Sequence, residues 1–162
     1  MKLARFRHAA FSLVEVTLAL GLSAFCLLVV IGMLPVALKV NQSSVQQTIA
    51  NGLASQIIAD LRAAARLPPG QMSKSFSLHP HNGGPWDPTP DVLYFTNDGK
   101  YILNANNQAN APTDATFRGT VTYRLPPTDT TSLADVTVSW PAAQPDTSKV
   151  AGSVEVFAAI NR

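Results

Sequence analysis

The sequence predicts an α+β fold in which one long N-terminal α-helix packs on an antiparallel β-sheet of four to five strands. Three observations carry that prediction. A continuous apolar run covers 11–38; an amphipathic stretch follows it as far as Pro68-Pro69-Gly70; and beyond that tripeptide short segments alternate apolar and polar residues. The first two patterns suit one helix and the third suits half-buried strands. With 162 residues there is room for one modest domain plus an appendage, not for two separate cores. The apolar face of the sheet therefore needs a cover from within the chain, and the amphipathic part of the helix is the one element suited to give it.

The charge balance is set by a short basic tip. Lys and Arg number 12 against 10 Asp and Glu, but Lys2, Arg5 and Arg7 stand in the first seven positions. Without residues 1–10 the balance is 9 against 10, and from Gln71 to Arg162 it is 6 basic against 8 acidic. A basic nucleic-acid surface is therefore not the leading reading, and no nucleic-acid partner is expected. The single Cys26 lies in the apolar run, which excludes an intrachain disulfide and a cysteine-based zinc site.

Between Glu15 and Lys39 there are 23 consecutive residues without a charge, and about 20 apolar residues suffice to cross a bilayer. A cleaved secretory signal has an apolar centre of roughly 7–15 residues followed by a small-residue site; this run is longer, and Leu38-Lys39-Val40 is a poor cleavage context. With the basic tip before the span and only Lys39 close behind it, the positive-inside rule places the N-terminus in the cytoplasm and everything after Lys39 outside. Glu15 is the residue that an ordinary anchor does not need. A carboxylate in the span costs on the order of 2–3 kcal/mol and calls for a partner, unless it sits in the interface and is favoured by the helix dipole.

The stretch RHAAFSLVEVTLAL as a whole resembles the class III signal of type IV pilins and pseudopilins. In that family a basic leader ends in a small residue, the mature protein begins with Phe, and its fifth residue is Glu at the head of an apolar helix. Residue by residue, the match gives a leader at 1–10, a new N-terminus at Phe11 and Glu15 in fifth place; the departure is Ala10 where Gly is usual. The resemblance covers about residues 1–40. It implies a prepilin peptidase that cuts between Ala10 and Phe11 and methylates the Phe11 amine, with Glu15 as an assembly residue meeting the amine of a neighbouring subunit. It also implies other pilin or pseudopilin subunits and the cytoplasmic membrane as partners. The expected role is a structural one, in a type IV pilus-like or type II secretion-like filament of the cell envelope. The tail SWPAAQPDTSKVAGSVEVFAAIN resembles more weakly the minor-pilin-like Verru_Chthon cassette protein B family. The alternative is an anchor that is never cleaved and carries an adhesin-like binding domain outside the membrane.

The elements follow in order. Residues 11–38 form the transmembrane or filament-core helix, and 39–67 continue it as an amphipathic helix with Val45, Ile49, Leu53, Ile57 and Leu61 in one stripe. A helix from about Ser12 to Leu67 at about 1.5 Å per residue is roughly 80 Å long. Pro35 lacks an amide donor and Gly32 adds freedom, so a kink is expected between Ile31 and Pro35; the resemblance implies the same place. From Pro68 to Pro145 lie 11 of the 12 prolines, which excludes further long helices. Residues 68–91 read as a Pro/Gly-rich loop and 92–162 as the sheet. Its strands are expected at 92–96, 100–103, 116–125, 134–140 and 152–160, with Asn97-Asp98-Gly99 as a hairpin turn between the first two. Val121, Tyr123 and Leu125 alternate with Thr120, Thr122 and Arg124; Val136, Val138 and Trp140 alternate with Thr137 and Ser139. One face is thus apolar and the other wet.

No nucleophile elbow, zincin, Walker or dinucleotide pattern occurs, so no catalytic residue and no enzyme activity is expected. His79-Pro80-His81 reads as a solvated proline-rich loop, not a metal site. Asp87, Asp91, Asn97 and Asp98 do not have EF-hand spacing. Trp86 and Trp140 could form a sugar platform, but alternation places Trp140 on the buried face with Val136 and Val138. No metal or other cofactor is expected.

Overall fold

A computed structural model describes residues 12–68, 70–80, 89–124 and 131–161. It divides into two units, Met1–Gln42 and Ser43–Arg162. Helix α1 runs from Leu13 to Ala64, 52 residues, and is continuous through Gly32 and Pro35. It starts at Ser12, whose carbonyl accepts from the amides of Glu15 (3.0 Å) and Val16 (3.1 Å). It ends three residues before the expected Leu67. There the Arg66 and Leu67 amides donate to the carbonyls of Ala63 (3.3 Å) and Ala64 (2.9 Å), a tightened last turn. Pro68 disfavours helical backbone at the residue before it, which accounts for the early stop.

Within the second unit the helix buries Ala50, Leu53, Ala54, Ile57, Ile58 and Leu61 against the sheet. The stripe is the expected one, with one exception: Val45 is 51% exposed, and cover begins at Ile49. The turn at Gly99 marks that limit, since a Cβ there would lie 3.4 Å from Ile49 Cγ2 and 3.8 Å from Leu53 Cδ2. Asp60 ties the helix to the following loop, its carboxylate accepting from the amides of Ser75 (3.2 Å) and Phe76 (3.1 Å). Phe76 in turn meets Phe95 and Tyr101 edge-on, with ring centroids 5.6 and 5.2 Å away. The burial of Tyr101 among these groups raises its phenol above the usual range, against the opposing effect of its hydrogen bond to Asn106.

The sheet has four strands, β1 (Asp91–Phe95), β2 (Phe117–Tyr123), β3 (Thr131–Trp140) and β4 (Gly152–Asn161), antiparallel in the order β1-β2-β3-β4. The α+β architecture is therefore the expected one, with a four-stranded sheet. The segment 100–103 is not a strand. Asn97-Asp98-Gly99 does turn the chain, the Thr96 amide donating to Lys100 O (2.9 Å) and Gly99 adopting φ 79°. After that only Tyr101 bridges to Phe95 before the chain leaves the ladder. The end of the expected third strand, Leu125, lies outside the described residues.

The inner face carries Leu93, Phe95, Phe117, Val121, Val136 and Val138 into the core, each fully buried. The absence of a side chain at Gly119 lets the helix approach, because a Cβ there would stand 3.2 Å from both Ile57 Cδ1 and Phe95 Cε2. Trp140 is buried as expected, edge-on to Phe117 at 6.0 Å, and its ring lies over its register partner Gly152. An alanine methyl at Gly152 would fall 2.2 Å from Trp140 Cζ2 and 2.7 Å from Cε2. Gly152→Ala is therefore expected to destabilise the domain by about 1–3 kcal/mol through overpacking. A denaturation midpoint equal to wild type would show that the indole has room to withdraw.

The outer face is less uniformly wet than alternation implies. Arg118, Thr120 and Thr122 of β2 are partly exposed, but a second apolar cluster of Val92, Tyr94, Ala105 and Ala142 covers β1. The loop 102–115 supplies that cover together with Ala142, which follows β3. It is held by Asn107, whose side chain accepts from the Val92 amide (2.6 Å) and whose own amide donates to Val92 O (2.9 Å). On β3, Asp135 and Ser139 are also buried, Asp135 Oδ2 accepting from Arg124 Nε at 2.8 Å.

Candidate functional site

The candidate site is the head of α1. Every residue from Ser12 to Val45 is exposed, and from Ser12 to Leu38 all are apolar or small and neutral except Glu15. This helix is long and apolar enough to cross a membrane. Such a surface is costly in water, whereas a bilayer or a bundle of like helices would cover it. The Thr17 hydroxyl on it needs no outside partner, since Oγ1 donates back to Val14 O at 2.9 Å.

Glu15 stands in the first turn of α1, three residues after Ser12. That S-x-x-E spacing is the sequence signature of a capping box, and an anion in the first turn is favoured by the unpaired amides and the helix dipole. Ser12 is thus a residue that belongs to this site and that the spacing alone could have identified. Among the described residues no side chain pairs with the Glu15 carboxylate. Ala10 and Phe11, the expected cleavage and methylation positions, lie outside the described residues. Gly32 and Pro35, the expected kink positions, stand on the exposed apolar helix; the Ile31 carbonyl has no amide at Pro35 to accept from.

The polar residues of the loops are absorbed by local structure. His79 Nδ1 lies 3.1 Å from Asp91 Oδ1, the His79 amide donates to Asp91 Oδ2 at 3.0 Å, and Asn107 Nδ2 donates to Asp91 Oδ1 at 3.2 Å. His81, Trp86 and Asp87 lie outside the described residues. Asp98 accepts from the Thr96 hydroxyl inside the turn, and that bond holds its carboxyl below the ordinary range. Among the described residues no three His, Cys, Asp or Glu side chains come together as metal ligands would. No protein-family model, curated protein or solved structure matches the chain.

Proposed function

We propose that this chain is a structural subunit, a minor pilin or pseudopilin, of a type IV pilus-like or type II secretion-like filament. In this reading a prepilin peptidase in the cytoplasmic membrane removes residues 1–10 and methylates Phe11. The subunit then waits as a single-pass protein with its domain outside, and joins the filament by packing its apolar helix among others. The observation that carries the reading is the first half of α1, an exposed apolar helix with one carboxylate, Glu15, in its first turn. In a dry bundle of such helices Glu15 needs a cation, and in this reading the amine freed at Phe11 of a neighbouring subunit supplies it.

The position of Glu15 three residues after Ser12 favours a second reading, an uncleaved anchor in which the carboxylate only caps the helix. Intact-mass analysis of the protein from its native host separates the two. The filament reading expects a chain that lacks residues 1–10 and begins with N-methylated Phe11. A retained Met1, or a cut beyond the apolar run, would overturn it.

A further inference from the structure

Helix α1 has two kinds of support along its length, and the stretch between them has neither. The apolar run, which a bilayer or a bundle would cover, ends at Leu38. Cover by the sheet begins at Ile49, and the first fully buried residue is Ala50. From Val40 to Thr48 the sequence is VNQSSVQQT, exposed throughout except at Gln46, which is partly covered. Helices in folded proteins owe most of their stability to tertiary packing, so this stretch depends on the propensity of its own residues.

That propensity is poor. Val, Asn, Ser and Thr fill six of the nine positions, and each is a weaker helix former than Ala or Leu. The nine include no alanine and no charge, so no i,i+4 ion pair within them reinforces the helix. Thr48 Oγ1 donates back to Ser44 O at 2.9 Å, a bond that competes with the helical ladder and weakens it. The turns beyond have both supports, with Ala50, Ala54 and Ala64 as good helix formers and Leu53, Ile57 and Leu61 buried. The boundary between the two units, Gln42 to Ser43, falls inside the unsupported stretch. Few buried contacts and exposed backbone hydrogen bonds are what mark a segment that opens locally. We infer that 40–48 is a hinge of α1, which opens while the turns before and after it stay helical and so lets the sheet-bearing unit reorient on its apolar stem.

This inference rests on the helix itself and not on the filament reading, so its test uses full-length, unassembled protein in nanodiscs. Backbone amides at 44–48 are expected to exchange with deuterium at least about a hundredfold faster than those at 54–61. A triple variant, Asn41→Ala, Ser43→Ala and Ser44→Ala, is expected to slow exchange over 44–48 roughly tenfold, about two- to threefold for each weak helix former replaced, and to leave 54–61 unchanged. Spin labels on Cys26 and on Ser153→Cys, both exposed positions, then report the motion. Their distance distribution is expected to be broader in the otherwise unchanged chain than in the triple variant. Equal protection over 44–48 and 54–61, exchange that the alanines leave unaltered, or an equally narrow distribution in both proteins would each overturn the inference.

Discussion

Ile57→Ala is expected to lower the stability of the sheet-bearing unit by roughly 2–5 kcal/mol, while Val45→Ala, from the same helical stripe, changes it by less than about 0.5 kcal/mol. The two residues differ in what lies over them. Ile57 is completely buried, and its Cδ1 fills the space above Gly119, where a Cβ would stand only 3.2 Å away. Gly119 has no side chain with which to refill that space, so the cavity left by truncation persists and the cost falls toward the upper part of the range. Val45 is 51% exposed and loses little by losing two methyl groups. The comparison is read as urea midpoints of the full chain in detergent, followed by Trp140 fluorescence in a Trp86→Phe background. Equal midpoint shifts for the two variants would mean that the helix does not cover the sheet in the way its buried face indicates.

The stripe that this experiment probes was legible because period and burial coincide: Leu53, Ile57 and Leu61 repeat every four residues and all three are buried. The strands were legible for the same reason, Val121 and Tyr123 buried and Thr120 and Thr122 partly exposed. What pattern alone could not place was cover supplied by irregular chain. Residues 102–115 have no period, and they reach β1 through the hydrogen bonds of Asn107, which has φ 57°, and through the Tyr94 hydroxyl donating to Gln108 O at 2.9 Å. Those bonds also explain why 100–103, apolar enough to be a strand, leaves the ladder after Tyr101. The burial of Asp60 is not legible in the sequence, because its place off the apolar stripe of a helix reads as solvent-facing, whereas its carboxylate is buried where it accepts from two loop amides. At the head of α1 the sequence carried the argument almost alone, since Glu15 and the uncharged run after it are visible without coordinates.

Glu15→Ala is expected to leave membrane insertion intact and to reduce recovery of the subunit in filaments by roughly two to four orders of magnitude, which is what about 3–5 kcal/mol for one side of a buried ion pair implies. The two effects have opposite signs for one reason. Insertion depends on summed apolarity, and removing a carboxylate from the span favours it by a few kcal/mol. Assembly, in the filament reading, places the methylated amine of a neighbouring Phe11 beside Glu15 in a low-dielectric bundle, where that amine would be left without its anion. The exposure of Glu15, and the lack of any described side chain paired with it, leave the carboxylate free to serve a neighbour. Glu15→Gln keeps the size and most of the hydrogen bonding while deleting the charge, so a loss as large as that of Glu15→Ala assigns the effect to the ion pair. Substitution of the cap alone, Ser12→Ala, costs about 1 kcal/mol of helix stability and is expected to reduce filament recovery far less. Each variant is expressed in a strain lacking the wild-type copy and its amounts in membrane and sheared-filament fractions are compared. If Glu15→Ala is recovered from filaments as well as wild type, Glu15 only caps the first turn of α1, and the assembly role proposed for it is withdrawn.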